Sequence, residues 1–258
     1  MEIKFFAETL SLTFDDQGQA QGPAFLVLHG GAGPKSVAGL SAALAGTGRV
    51  ITPTHPGFDG HPRPDGFTSV SALALSYLSL IEKLDLTDVV VIGNSIGGWI
   101  AAEMALFASP RIAAMVLLNA VGIDGGSPAL AVVDPSQLPP AERAAKAFFD
   151  PQRFAFGPAT PEAAAMMLAN LATLRVYGGT HFSHDPTLRP RLAQLRLPSL
   201  LAWGESDGIS NRDYGKLYAD SIPGAQFKLV REAGHFPQLE QLETVTALIK
   251  TFIEPIGR

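Results

Sequence analysis

Three polar residues that could form a nucleophilic relay stand far apart in the chain, at Ser95, Asp207 and His235. A serine hydroxyl is a weak nucleophile at neutral pH, so it needs a base within hydrogen-bonding reach and a third group that orients this base. A serine, an imidazole and a carboxylate together can transfer an acyl group through a covalent intermediate. This chemistry requires a fold that brings the three side chains to one place.

Ser95 is the centre of a Gly-x-Ser-x-Gly pentapeptide that directly follows the apolar run Val89–Ile92. A strand that turns sharply into a helix at the serine holds the hydroxyl above the sheet, and Gly93 and Gly97 let strand and helix approach closely. The apolar residues 97–108 predict a buried helix. The pentapeptide alone is a weak signal, and its alternative is a glycine-rich turn with an incidental serine.

The other two residues also follow predicted strands. Ser199–Trp203 is followed four residues later by Asp207, and Gln226–Val230 is followed five residues later by His235. Serine, aspartate and histidine therefore come in a chain order known for one type of triad. Each side chain is expected at the carboxyl end of its strand.

Alternating strand and helix patterns predict the fold that must position these residues. Strands are predicted at Ile3–Phe6, Thr9–Phe14, Ala24–Leu28, Arg49–Thr52, Val89–Ile92, Ile112–Asn119, Ser199–Trp203 and Gln226–Val230. Helices are predicted at Ser36–Ala45, Ser71–Leu84, 97–108, Asp213–Asp220 and Gln238–Phe252. This alternation indicates an α/β fold, a doubly wound and mostly parallel eight-stranded sheet with helices on both faces.

The alternation stops at residue 122 and resumes near residue 190, which predicts a helical lid inserted over the strand ends. The sheet core would then comprise residues 1–121 and 191–258, with 122–190 as the lid. Three helices are predicted in it, at Pro139–Phe149, Pro161–Leu174 and Pro186–Leu195. Large apolar side chains are frequent there, at Phe148, Phe149, Phe154, Phe156, Met166, Met167 and Leu171.

Composition excludes several classes of function. The 258 residues are 47% hydrophobic and 17% charged, enough for a sizeable core in one large domain. A net charge of −5 offers no basic surface for nucleic acid or anionic membranes, and no apolar run is long enough to span a bilayer. The absence of cysteine excludes disulfides and thiolate metal sites. Residues 1–8 lack a secretory pattern, so a cytoplasmic protein acting on a small molecule is expected.

The motifs together resemble those of the α/β hydrolases. The loop at His29-Gly30-Gly31 is similar to the oxyanion loop of that family, and Gly93–Gly97 is similar to its nucleophile elbow. Trp203–Asp207 resembles its acid turn, and Gly234-His235 its histidine loop. The resemblance covers almost the whole chain and is loosest over the lid.

This resemblance implies roles for the residues. Ser95 would attack an acyl carbon, His235 would accept and return its proton, and Asp207 would orient the imidazole. The oxyanion hole would consist of the backbone N–H of Ile96 and that of Gly31 or Gly30, and each such donor typically contributes about 3–4 kcal/mol.

Other candidates have less support. Glu205 is an alternative acid, although the motif places the acid at Asp207, and Asp124 is another, although a polar residue in the first turn of the lid is the preferred interpretation. His29 is expected to be a structural partner in its loop rather than a base. Trp99 and Met104 are expected in the core.

No metal or cofactor is expected. Two groups of possible ligands lack zinc-motif spacing, so solvated loop histidines are the preferred interpretation of both. The groups are His55, Asp59 and His61, and His181, His184 and Asp185.

Three residues are candidates for substrate binding. The amide of Asn94 could face the pocket or simply fit the turn. Phe236 follows the histidine. Arg175, in the predicted lid, could hold an anionic substrate or be an ordinary surface arginine.

The expected reaction is hydrolysis of a carboxylic ester in a largely apolar pocket. Dehalogenases and epoxide hydrolases resemble this fold but use an aspartate as the nucleophile. The serine found here at that position therefore disfavours their chemistry. His29–Pro34 with Gly93–Ser95 also resembles the carbon–carbon bond hydrolases of meta-cleavage pathways, which usually have tryptophan where this chain has Phe236. The chain also faintly resembles the proline iminopeptidases, but its lid shows no clear acidic cluster that would bind a free amino terminus. A lyase, a perhydrolase or a ligand-binding relative with the same triad stays open.

Overall fold

A computed structural model of the chain describes residues 1–5, 10–19, 21–155 and 160–256. These residues contain a sheet of eight strands. The strands are β1 (Glu2–Phe5), β2 (Leu10–Gly18), β3 (Ala24–Leu28), β4 (Arg49–Thr54), β5 (Val89–Asn94), β6 (Ile112–Leu118), β7 (Ser199–Gly204) and β8 (Gln226–Val230). The strand order is β1-β2-β4-β3-β5-β6-β7-β8. The pairs from β4 across to β8 are all parallel, and β2 alone runs against the other strands, antiparallel to both β1 and β4. This confirms the predicted mostly parallel sheet.

Ten helices are present in the described residues. Those of the core are α1 (Lys35–Ala45), α2 (Val70–Lys83), α3 (Ile96–Leu106), α8 (Arg212–Asp220), α9 (Pro237–Glu240) and α10 (Leu242–Ile253). Those between β6 and β7 are α4 (Pro140–Ala147), α5 (Pro151–Phe154), α6 (Pro161–Gly178) and α7 (Leu188–Leu192). Two single 3-10 turns, Pro128–Leu130 and Pro135–Gln137, precede α4.

The central strands are almost entirely apolar because both faces of the sheet are covered. Alternate residues of one strand belong to different cores. Leu26 belongs to the core that includes α2, α3 and α8, whereas Phe25 belongs to the core that includes α1 and α10. Every residue of β3, β5 and β7 is buried. The sheet is therefore a rigid base whose carboxyl-end loops carry the candidate residues.

The connection between β6 and β7 is helical, as the sequence predicts. Thr160 accepts a hydrogen bond from the Ala163 N–H and Pro161 occupies the first turn, so α6 begins where expected. It continues to Gly178 rather than ending at Leu174, whereas α7 is shorter than the predicted Pro186–Leu195. An isolated bridge joins Gly122 to His184. The division of the chain into core and lid at residues 122 and 190 stays a prediction.

Some predicted bounds differ from the structure or lie outside it. The helix predicted at Gln238–Phe252 is two helices, α9 and α10, because Gln241 between them is not helical, with φ −133° and ψ 50°. Phe6, Thr9 and Phe156, which belong to predicted segments, lie outside the described residues. Within the described part of the chain, no helix has the length and apolarity needed to cross a membrane.

Candidate active site

Ser95 lies between the last residue of β5 and the first residue of α3, in a backbone conformation that is rare for a side-chain-bearing residue. Its φ is +56° and its ψ is −121°. A Cβ on Gly93 would overlap the carbonyl of Gly97, and a Cβ on Gly97 would overlap that of Leu28. Glycine is therefore required at both positions for this turn, and the strained serine is held at the strand end with 7% exposure.

His235 and Asp207 are in direct contact. The Nδ1 atom of His235 lies 2.9 Å from Oδ2 of Asp207, and the side chain of Asp207 is fully buried. Because the carboxylate accepts at Nδ1, the neutral imidazole has its Nε2 lone pair available as a base. Ser95 and His235 line the same cavity. The fold thus brings Ser95 to one cavity with the Asp207–His235 pair, which lies more than a hundred positions further along the chain.

The carboxylate of Asp207 has four further hydrogen bonds. Its Oδ2 accepts from Nδ2 of Asn119 at 2.6 Å and from the hydroxyl of Ser210 at 3.0 Å. Its Oδ1 accepts from the backbone N–H groups of Ile209 and Ser210 at 2.7 and 3.2 Å. These donors fix the plane of the carboxylate, which in turn orients the imidazole of His235.

Asn119 is a site residue that sequence reasoning missed. It directly follows β6, is completely buried, and has a φ of +45°, a conformation that asparagine tolerates better than most residues. Besides its bond to Asp207, its Oδ1 accepts from the N–H of Gly204 at 3.0 Å. The available signal was a polar residue at the end of a buried strand, the same signal that identified Asp207.

The glycine loop after β3 approaches the serine closely. A Cβ on Gly30 would lie 2.9 Å from Cβ of Ser95, so only glycine fits there. The N–H of Gly33 donates to the carbonyl of Gly30 at 3.1 Å and leaves the N–H of Gly31 unused by the turn. Ile96 is the first residue of α3, where an N–H has no intrahelical acceptor. Gly31 lines the cavity.

His29 and His55 are buried behind this loop, with rings stacked at a centroid distance of 3.7 Å. Burial lowers the pKa of His29 to about 4, against a hydrogen bond to Gly30 and the charge of Asp59, which raise it. Burial and the neighbouring His29 lower the pKa of His55 well below its usual value. The expectation that His55 is a solvated loop histidine is wrong, because its ring bonds to Tyr77 and to the His29 carbonyl.

A cavity of about 720 Å³ lies above Ser95 and His235. Most of its walls come from the segment between β6 and β7 and are apolar. The apolar lining includes Val132, Ala144, Phe148, Phe154, Met166, Met167, Leu171 and Leu174. Phe236 also lines it, with its ring centroid 5.2 Å from that of Phe148. Such a space suits a small substrate with an apolar body.

Polar bonds between α6 and the loop after β4 hold one wall of this cavity. Asn170 and Asp59 exchange two hydrogen bonds of 2.9 Å, one to the Asp59 backbone N–H and one to its carboxylate. Thr173 donates to the carbonyl of Gly57 at 2.8 Å, and Tyr177 donates to that of Pro56 at 3.0 Å. These side chains lie on one face of α6, so this wall is fixed to the core.

Two of the three proposed substrate-binding residues lie elsewhere. Arg175 does not line the cavity; its half-exposed guanidinium pairs with Asp134 at 2.5 Å and bonds to Ser136. The Nδ2 of Asn94 donates to the carbonyls of Leu118 and His235, each at 3.0 Å. Asn94 thus ties the histidine loop to the sheet and is outside the cavity lining.

In the described residues, neither the alternative acids nor the possible metal ligands named above bond to the imidazole of His235. Glu205 and Asp124 are exposed, and the carboxylate of Asp124 accepts from the N–H of Gly126 at 2.8 Å. The described residues contain no cluster of histidine and carboxylate side chains that could hold a metal ion. His181 and His184 stack on each other at 5.2 Å. Trp99 and Met104 are in the core, as expected.

Comparison with known proteins places this arrangement in one family. Residues 25–248 match the model described as the alpha/beta hydrolase family. The chain is 24% identical, over 277 aligned residues, to the 2-hydroxy-6-oxononadienedioate/2-hydroxy-6-oxononatrienedioate hydrolase of Escherichia coli strain K12. The alignment covers 98% of this chain and 94% of that protein.

Solved structures share the fold. The 2-hydroxy-6-oxo-6-phenylhexa-2,4-dienoate hydrolase from Rhodococcus sp. strain RHA1 has a TM-score of 0.78 at 20% identity and covers 98% of both chains. A thermophilic esterase from Thermogutta terrifontis has a TM-score of 0.72 at 24% identity, over 96% of this chain and 94% of the other. At these identities the likeness concerns the fold alone.

Proposed function

We propose that this chain, which belongs to the α/β hydrolase family, cleaves carboxylic esters of small, largely apolar substrates with Ser95 as its nucleophile. The observation that carries the proposal is the buried Asp207–His235 pair beside Ser95, at the base of an apolar cavity of about 720 Å³. A base oriented by a carboxylate is what a serine hydroxyl needs to attack a carbonyl carbon.

In this proposal the reaction has two steps. Ser95 Oγ adds to the ester carbonyl as Nε2 of His235 takes its proton, and His235 then protonates the departing alcohol. Water, deprotonated by the same nitrogen, cleaves the resulting acyl-serine. Asp207 stays ionised and stabilises the imidazolium.

The negative charge of the tetrahedral intermediate would be held by backbone N–H groups. We assign Ile96 and Gly31 as donors, because Ile96 begins the 11-residue helix α3 and Gly31 lines the cavity in the loop next to Ser95. The positive end of the α3 dipole adds to this stabilisation. Gly30 serves as the neighbour whose missing side chain lets the loop approach Ser95.

A direct test uses p-nitrophenyl butyrate and a fluorophosphonate probe. We expect the wild type to hydrolyse the ester and to be labelled once, and Ser95→Ala to lose both properties, with kcat lower by on the order of 10⁶. Ser183→Ala is the matched control, since Ser183 is a second serine of the cavity lining. A wild type that is neither active nor labelled, or labelling that survives in Ser95→Ala, would refute the proposal.

A second candidate is hydrolysis of a carbon–carbon bond in a ring-cleavage dienone acid. Besides the names of the relatives, one observation favours it: Lys35 and Arg143 both line the cavity, and neither pairs with a carboxylate of the described residues. Among the described residues, the side-chain hydrogen bond of Arg143 goes to the sulfur of Met167, at 3.9 Å. Cations within an apolar cavity suit a substrate that has a carboxylate.

The two candidates predict different substrate ratios. A 2-hydroxy-6-oxo-dienoate, followed by the loss of its absorbance, should be cleaved more slowly than the ester if the first candidate is correct. A kcat/KM at least a hundredfold higher for the dienoate, reduced in Arg143→Gln and Lys35→Gln, would instead establish the second candidate.

A further inference from the structure

A chain of hydrogen bonds connects Tyr77, His55 and His29 behind the glycine loop, and all three side chains are fully buried. Nδ1 of His55 lies 2.5 Å from the hydroxyl of Tyr77, and Nε2 of His55 lies 2.8 Å from the carbonyl oxygen of His29. The backbone N–H of His55 donates to Nε2 of His29 at 3.0 Å. Nδ1 of His29 lies 2.7 Å from the carbonyl oxygen of Gly30.

The partners fix where each proton lies. Nε2 of His29 receives an N–H, so it has no proton, and Nδ1 must be the donor to the Gly30 carbonyl. Nε2 of His55 faces a carbonyl, which can only accept, so Nε2 has the proton. Complete burial between uncharged partners favours the neutral ring, in which Nδ1 accepts from the Tyr77 hydroxyl. Both rings are therefore neutral, in opposite tautomers. Burial lowers both pKa values, in agreement with this assignment.

This chain of bonds ends on two successive peptide groups of the glycine loop. His55 holds the carbonyl of His29, and His29 holds the carbonyl of Gly30, which also accepts from the N–H of Gly33. In a trans peptide the carbonyl of Gly30 and the N–H of Gly31 point in opposite directions. Holding the carbonyl towards the buried histidine therefore directs the Gly31 N–H away from it.

We propose that His55 and Tyr77, acting through His29, are positioning residues that aim the Gly31 N–H into the cavity as an oxyanion donor. The inference rests on the proposed function, because it assigns a role in holding the oxyanion. It explains two buried histidines that no other part of the site uses, since neither lines the cavity. The stacked rings, in contact with Phe58 at 5.0 Å from His29, leave the loop little room to rotate.

The tautomers can be measured without any substrate. Long-range ¹⁵N–¹H NMR of the wild-type protein at pH 7 should show a proton on Nδ1 of His29 and on Nε2 of His55, assigned from the spectra of the single variants. A charged ring, or a proton on Nε2 of His29, would overturn the proposal even if the protein hydrolyses no ester.

Two substitutions at His29 separate its two bonds. The amide of His29→Asn can replace Nδ1 as donor to Gly30, whereas His29→Gln can replace Nε2 as acceptor from the His55 N–H. We expect kcat for p-nitrophenyl butyrate to fall 10- to 100-fold in His29→Gln and less than fivefold in His29→Asn, with KM changed less than threefold in both. The range is a fraction of what losing a whole oxyanion donor costs.

Two further variants complete the test. Tyr77→Phe, which removes only the far end of the chain of bonds, should lower kcat about threefold, and His181→Asn at the surface should leave it unchanged. Thermal unfolding of each variant shows how far folding is affected. Equal loss of kcat in His29→Asn and His29→Gln, or a change in KM alone, would overturn the positioning role while wild-type ester hydrolysis, abolished in Ser95→Ala, would still support the proposed function.

Discussion

The floor of the cavity and its roof differ in how their side chains are held. The floor comprises Ser95, Asn119, Asp207 and His235 at the carboxyl ends of the sheet strands, where the carboxylate of Asp207 alone accepts five hydrogen bonds. The roof comprises Phe148, directly after α4, and the cavity-lining side chains of α4, α5 and α6, which are mostly alanine, methionine, leucine and phenylalanine. The floor side chains are fixed by directional bonds. The roof meets the cavity with mostly apolar side chains, and polar bonds of α6 tie it to the core behind them.

The difference has a physical basis. Polar groups aimed before the reaction begins need no reorganisation in the transition state, so the floor must be rigid. Apolar contact is non-directional, and methionine adapts to irregular shapes, so the roof can accept different substrates at small energetic cost. We therefore expect changes in the floor to act on kcat and changes in the roof to act on KM.

The largest effect is expected from Asp207→Asn. An amide cannot stabilise the imidazolium and favours the wrong tautomer of His235, so kcat should fall on the order of 10⁴-fold in a folded protein. Ester hydrolysis and circular dichroism measure the two quantities. Glu205→Gln, two residues away and exposed, is the control. A loss near tenfold would mean that another carboxylate is the acid.

Asn119→Ala should have the next largest effect. It removes the 2.6 Å bond to Asp207 and the bond to the Gly204 N–H, so the carboxylate is less well oriented and kcat should fall about 100-fold, equivalent to about 3 kcal/mol. KM should change little. A KM effect without a kcat effect would place Asn119 in substrate binding rather than in the floor.

The free energy of unfolding should decrease as the pH is lowered, because His29, next to the floor, is buried. An unfolded histidine has a pKa of about 6.5 and His29 has a pKa of about 4, so between these values the unfolded state binds more protons and the folded state loses stability as the pH falls. Between pH 7 and 5 this amounts to about 2 kcal/mol. We expect urea unfolding at pH 7 and pH 5 to show a loss of stability that is smaller by this amount in His29→Asn than in the wild type. An equal loss in both proteins would contradict the lowered pKa of His29.

Phe148→Ala tests the roof. Removal of a ring that contacts Phe236 should raise KM for p-nitrophenyl butyrate about tenfold, or about 1.4 kcal/mol, with kcat within threefold of wild type. Phe149→Ala is the matched control, because this neighbour is 50% exposed and does not line the cavity. A large fall in kcat would show that the roof also orients the reacting groups.

Arg175→Ala should have the smallest effect. Its ion pair with Asp134 is half-exposed, so its loss should lower the free energy of unfolding by less than about 1 kcal/mol and leave kcat/KM within twofold. A tenfold rise in KM for a carboxylate-bearing ester, without a rise for a neutral ester, would restore Arg175 as a substrate anchor.

The sequence by itself determined the sheet, the turn at Ser95 and the positions of Asp207 and His235. Each of these depends on local information: an apolar run predicts a buried strand, and a glycine or a polar residue directly after it marks the loop at its carboxyl end. The helix after Ser95 was predicted as buried for the same reason, and ten of its residues are buried in the structure.

The tertiary structure alone decided which side chains meet. Asn119 and Asp207 are 88 positions apart, and they touch because β6 and β7 are neighbours in the sheet. His55 was expected in solvent because a loop rich in proline and glycine surrounds it, yet the fold closes α2 and the loop after β3 over its ring. From the sequence, Arg175 could face either the cavity or the surface, and its ion pair with Asp134 in the folded chain decides for the surface. Local pattern predicts where a strand ends; partners so distant in the chain depend on strand order and packing, which no short segment contains.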